Sequence, residues 1–254
     1  MNIKIYAHRG GMGRAPENTL ASFQQALADG ADGFEFDVCL TQDKQPVLIH
    51  VDFNDDDIRI ATGSETPLSK LTWNDVQQIT MLDSDEPVAH LDDALMFIRD
   101  NQFPGFLEPK TDIPELLPII IDRIHHFEVT HLVSILTFYH QNLLLVDAKK
   151  LEPKLRTSAI IINPFANFLK AAKDIDVDRI IFGWSNINHF NIYNSIFRSI
   201  SRDVKRLQEN EIEVEAGFIK EVKDVAWSLK HGIHGLWVDD VPLIRDYVEQ
   251  YEDK

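Results

Sequence analysis

The chain has 254 residues, 44% of them apolar or aromatic and 26% charged, which suits one large core and argues against disorder. With 25 Lys and Arg against 41 Asp and Glu, the net charge of −16 argues against a nucleic-acid partner, and an anionic small substrate would need a local cation. A single cysteine, Cys39, permits no internal disulfide, and no apolar run approaches the 18 residues of a membrane span. Together with the absence of a leader-like stretch before "IKIYAHRG", these features predict one domain over residues 1–254, cytoplasmic, without stable membrane insertion.

Taken in chain order, short β-rich runs alternate with helical patterns. "IKIYAHRG" opens, and "PENTLASFQQALADGA" follows as a helix, capped by Asn18 or Thr19, lined by Leu20, Phe23 and Leu27, and stopped by Gly30. In "GFEFDV", the two-residue period places Phe34, Phe36 and Val38 on one face and Glu35 and Asp37 on the other. By itself that pattern equally describes a surface strand with a solvated face. "PVLIH" comes only eight residues after Asp37, too soon for a parallel crossover, so it folds back antiparallel through "TQDKQ" and carries His50 towards Glu35 and Asp37.

Residues 51–90 are polar and turn-rich and are expected to form a small excursion over one barrel mouth. Strand-like runs continue with "FLEPK", "LVSILTF", "RTSAIII", "RIIFGWS", "EVEAGFI" and "HGLWVDD". Helices are expected at 90–101, 113–127, 142–151, 163–175, 199–211 and 222–232. Eight strands with intervening helices predict an α/β fold, a (β/α)8 TIM barrel with a β-hairpin extension after strand 2.

Barrel chemistry collects at the C-terminal ends of the strands. There the sequence places His8, Arg9, Glu35, Asp37, Glu108, Lys110 and, on the hairpin, His50. Three carboxylates without a thiolate suit a hard divalent cation, Mg2+ or Ca2+, although Glu108 could instead pair with Lys110 on its own face. His8 and His50 are candidates for proton transfer, and Arg9 and Lys110 for holding a phosphoryl group. The combination points to phosphodiester cleavage.

The run from "AHRGGMGRAPENTL" to "LIH" over residues 7–50, with "LEPK" at 107–110 and "HGLWVDDVP" at 234–242, resembles the glycerophosphodiester phosphodiesterase family of phospholipase-C-like barrels. The resemblance implies His8 and His50 as the acid/base pair, Glu35, Asp37 and Glu108 as ligands of a divalent cation, Arg9 and Lys110 as phosphate contacts, and Glu17 as support for Arg9. It implies hydrolysis of glycerophosphodiesters to glycerol 3-phosphate and an alcohol. The same group also holds lysophospholipase D-like and cyclic-phosphate-forming enzymes, and a non-catalytic phosphate-ligand binder is the remaining alternative. Three positions depart from the family pattern. Val51 separates His50 from Asp52, Val238 replaces a threonine, and Gly217-Phe218-Ile219-Lys220 stands where Trp-Thr-Val-Asn is usual. The last change predicts a missing aromatic wall, with Trp184 or Phe138 as its replacement.

Overall fold

A computed structural model describes residues 3–183, 187–196 and 200–252. The chain opens with β1 (Lys4–Ala7), β2 (Gly33–Leu40) and β3 (Pro46–Leu48), and continues with β4 (Gly105–Pro109), β5 (Val133–Phe138) and β6 (Arg156–Ile161). β7 (Arg179–Phe182), β8 (Glu213–Ile219) and β9 (Gly235–Val238) complete the sheet. All but β3 are parallel, and because β1 pairs with both β2 and β9 the eight parallel strands close into the expected barrel. β3 pairs antiparallel with β2 in the register Val38↔Leu48, Cys39↔Val47 and Leu40↔Pro46, leaving residues 41–45 as the hairpin turn.

Helix α1 (Leu20–Ala28) follows β1, and α2 (Arg59–Thr62) and α3 (Trp73–Val76) are single turns inside the 51–90 excursion. The barrel is wrapped by α4 (Leu91–Asn101), α5 (Leu116–His126), α6 (Leu143–Leu151) and α7 (Phe168–Asp174), then α8 (Ile187–Ile196), α9 (Ile200–Gln208), α10 (Val222–Lys230) and α11 (Val241–Glu252). Neither α8 nor α11 was expected from the sequence. The segment "INHFNIYNSI" is rich in asparagine and isoleucine, weak helix formers, so its propensity hides the element. Thr19, not Asn18, caps α1: its hydroxyl accepts from Ser22 N at 3.2 Å while Ser22 Oγ accepts from Thr19 N at 3.3 Å. Leu27 is exposed, and the buried face of α1 runs through Ser22, Phe23 and Ala26 instead.

Strand β2 is buried on both faces, so it is no surface strand. Phe34 and Phe36 face the helices, with Phe23 of α1 at a centroid distance of 4.2 Å from Phe34. Each such ring contributes on the order of 1.5–3 kcal/mol by leaving water, and Phe34→Ala would cost about 3–5 kcal/mol. The opposite residues point into the barrel, where Tyr6, Phe106, Leu136, Ile160, Ile181 and Trp237 form a packed middle layer. Glu35, Asp37 and Glu108 are therefore held buried in the barrel by a frame that cannot slip register without exposing phenylalanines. The excursion has its own small core, in which Val51, Ile58, Leu68, Val76 and Met81 pack on Val47 and Ile49. Among the described residues, no helix is long and apolar enough to cross a membrane.

Candidate active site

Beyond Ala7 the chain turns sharply through His8–Gly10, with Arg9 at φ 50° and Gly10 at φ 82°. A Cβ on Gly10 would lie 2.2 Å from Ser22 Oγ, so this close pass over α1 requires glycine. The turn aims the Arg9 amide at Glu35, donating to Oε2 at 2.8 Å. The Arg9 guanidinium donates to both oxygens of Glu17 at 3.1 and 3.0 Å and lies 3.6 Å from Asp37, placing Glu17 as the sequence implied.

Glu35, Asp37 and Glu108 converge, with one carboxylate oxygen from each lying within 4.8 Å of the others. The β2–β4 register sets Asp37 beside Glu108. Lys110 sits between those two, 3.1 Å from Asp37 and 3.2 Å from Glu108, so the Glu108–Lys110 pair weighed from the sequence is present. It does not account for Glu35. Burial, and next the charges of Asp37 and Glu108, push the Glu35 carboxyl well above its usual range. Burial likewise pushes Glu108 up to about 7 despite Lys110. Burial opposes the charge on Asp37 too, but Lys110, His50 and Arg9 outweigh it and hold this carboxyl low.

Three carboxylates this close and this buried are not all held ionised by Arg9 and Lys110 alone, as the raised pKa values of Glu35 and Glu108 show. Although Lys110 is 3.1 Å from Asp37 Oδ1, that buried oxygen lacks a well-aligned hydrogen bond. The all-oxygen set and the mutual repulsion of its carboxylates fit a hard divalent cation.

A residue missed from the sequence steadies the cluster. Asn18, fully buried, donates Nδ2 to Asp37 Oδ2 and accepts from Asp37 N, both at 2.9 Å. Its candidacy as a helix cap concealed this role.

His8, Arg9, His50, Glu108 and Lys110 line one cavity of about 310 Å³, together with Asp52, Phe53, Phe138 and Phe218. Burial lowers the pKa of His8, opposed by Asp239, whose Oδ1 is 2.8 Å from Nδ1. His8 Nε2 lies 3.9 Å from Glu35. Burial pushes His50 down to about 4, with Arg9 and Lys110 adding to the effect and Asp37 opposing it. The hairpin therefore delivers His50 to the site, and Val51 does not displace it: Val51 turns into the small core of the excursion while Asp52 still lines the cavity.

The other two departures read differently in three dimensions. Val238 faces the helices, away from the cavity, and it is the next residue, Asp239, that reaches His8. The aromatic wall is present, not missing. Phe218, neighbour of Gly217, places its ring 4.2 Å from that of His8, and Phe138 lines the same cavity as expected. Gly217 itself is hemmed in, since a Cβ there would meet Ile181 at 3.2 Å and Trp237 at 3.3 Å. Trp184 lies outside the described residues. A larger cavity of about 570 Å³ opens at the opposite barrel end. Among its charges Arg179 pairs with Glu215 at 2.7 Å and Lys4 with Asp32 at 2.9 Å, so size alone does not locate the chemistry.

Residues 8–243 match the model of the glycerophosphoryl diester phosphodiesterase family. The chain belongs to this family. As a glycerophosphoryl diester phosphodiesterase it is a phosphodiester hydrolase, as its strand-end residues suggested. A glycerophosphodiester phosphodiesterase of Caldanaerobacter subterraneus subsp. tengcongensis is 25% identical over 266 residues, spanning 98% of this chain and 99% of the relative. An Oleispira antarctica phosphodiesterase, solved in complex with the product sn-glycerol-3-phosphate, superposes with a TM-score of 0.77 at 22% identity, covering 97% of this chain and 96% of its own. A glycerophosphodiester phosphodiesterase of Parabacteroides distasonis gives a TM-score of 0.77 at 16% identity, with 100% and 99% covered. At these identities the two structures bear on the fold alone.

Proposed function

We propose that the protein hydrolyses glycerophosphodiesters to glycerol 3-phosphate and an alcohol, with His8 and His50 as the acid/base pair and Glu35, Asp37 and Glu108 holding Mg2+ or Ca2+. One observation carries the reading: two imidazoles and two fixed cations open on the same 310 Å³ cavity that reaches the buried carboxylates. When bound there, a divalent cation polarises the phosphoryl group as a Lewis acid.

Arg9 and Lys110 face the non-bridging phosphoryl oxygens and offset their charge. Burial disfavours the Lys110 ammonium, yet Asp37, Glu108 and Glu35 outweigh it and raise its pKa, so it stays charged during turnover. His50, neutral above about pH 4, is free to take the proton from the attacking hydroxyl. His8 has Nδ1 committed to Asp239 and presents Nε2 to the cavity, within reach of the leaving oxygen; burial holds its pKa below the ordinary value and Asp239 partly offsets that shift. Phe218 and Phe138 exclude water from one side of the phosphorus and pack against the carbon skeleton.

The test is turnover of glycerophosphocholine, glycerophosphoethanolamine and glycerophosphoglycerol with Mg2+ or Ca2+ and with excess chelator. Release of glycerol 3-phosphate that stops with chelator is expected. No release with either cation would overturn the activity, and full release in chelator would overturn the cation's part in it.

A further inference from the structure

Strand β5 ends at Phe138 and runs straight into a single 3-10 turn, Tyr139–Gln141. The turn folds Gln141 back over the end of the strand, where the hydroxyl of fully buried Thr137 donates to Gln141 Oε1 at 2.6 Å. A carboxamide tied by its oxygen keeps both amide hydrogens on Nε2. Among the described residues, Nε2 has no hydrogen-bond partner.

Gln141 is half-buried and lines the 310 Å³ cavity. Phe138, Phe218 and Ile162 give that cavity its apolar surface, and exposed His140 packs its ring 5.6 Å from that of Phe138. The charged groups are committed to the phosphoryl end. Arg9 is held by Glu17 and Asp37, Lys110 by Asp37 and Glu108, and His8 Nδ1 by Asp239. Gln141 is uncharged, which suits its free donor to a neutral oxygen.

A purely apolar wall would penalise a hydroxyl-bearing carbon skeleton, because its oxygens would leave water without a partner. An amide donor set into that wall removes the penalty. Since Thr137 already fixes the carboxamide, the side chain loses little freedom when a ligand arrives.

We propose that Gln141 is a specificity-determining residue, whose Nε2 donates to a hydroxyl oxygen of the substrate and so selects diesters with hydroxyls close to the phosphoryl group. The inference rests on the reading above that Arg9 and Lys110 hold that group. The hydroxyl belongs either to the glycerol that stays on phosphorus or to the departing alcohol, two sources with one chemistry.

The experiment compares the wild type, Gln141→Leu and Gln141→Glu, each saturated with divalent cation. Calorimetry gives Kd for glycerol 3-phosphate and for propyl phosphate, the same skeleton without hydroxyls. Turnover gives kcat/KM for glycerophosphoglycerol and for glycerophosphocholine, whose departing portion carries no free hydroxyl. If the retained glycerol is read, the preference for glycerol 3-phosphate over propyl phosphate falls by about 2- to 12-fold in Gln141→Leu. If the departing alcohol is read, that preference holds and the preference for glycerophosphoglycerol over glycerophosphocholine falls instead. Gln141→Glu keeps the size and the Thr137 contact but has no donor, so it should lose the same preference. Both ratios unchanged in Gln141→Leu overturn the inference, and a ratio lost in Gln141→Leu yet kept in Gln141→Glu overturns the donor. No cleavage of either diester overturns the hydrolytic reading, and the ratio of Kd values still decides for or against Gln141.

Discussion

Asp239 is the residue whose removal separates positioning from bulk. In Asp239→Asn the side chain keeps its shape, but its Oδ1 contact to His8 Nδ1, 2.8 Å in the structure, loses its charge. A charge-assisted hydrogen bond between groups this shielded is worth about 1.5–3 kcal/mol, so kcat should fall by about 10- to 150-fold. The pH profile should move as well. Burial already lowers the His8 pKa, and Asp239 is the main group opposing that shift. Without the carboxylate the pKa drops further, so the limb of the kcat profile governed by His8 moves to lower pH. The assay is kcat against pH on glycerophosphocholine, with a melting curve to confirm folding. A variant with kcat within about twofold of wild type and an unmoved limb would refute the reasoning that Asp239 orients His8.

Asn18→Ala strips both a donor and an acceptor from buried Asp37, and urea unfolding should show a loss of about 2–4 kcal/mol. A loss below about 0.5 kcal/mol would mean that the pair is not stabilising. Glu35→Gln should abolish the thermal stabilisation given by Mg2+ or Ca2+ without lowering the cation-free melting temperature, because burial, Asp37 and Glu108 already disfavour its charge. An undiminished cation shift would remove Glu35 from the ligand set. Phe218→Ala loses a ring contact of about 0.5–1.5 kcal/mol and should raise KM by about 2- to 12-fold with little change in melting temperature, since Phe218 is only half-buried. Unchanged KM would place the ring outside the substrate's reach.

The barrel was legible because each strand-like run is separated by a helix-length segment, and the hairpin because eight residues from Asp37 to Pro46 leave no room for a crossover. Glu35, Asp37, Glu108 and His50 could be placed at one mouth for the same reasons: a period of two, a polar residue closing an apolar run, and chain length between strands. Contacts that depend on barrel closure were hidden. His8 and Asp239 are 231 positions apart, and only the pairing of β1 with β9 brings them together. Asn18 was hidden differently, because a residue just before a helix reads as a cap, whereas the capping box of Thr19 and Ser22 frees it for Asp37. Phe218 was hidden because the usual tryptophan aligns with Gly217, while the ring that lines the cavity belongs to the next residue along the strand.

The central claim is that His8 and His50 act on one phosphodiester in the cavity they share. It is tested most directly by single-turnover release of glycerol 3-phosphate from glycerophosphocholine by the wild type, His8→Ala and His50→Ala, each saturated with divalent cation. The account predicts that each variant binds substrate yet releases product about 10²- to 10⁴-fold more slowly. Release at the wild-type rate by either variant would contradict it.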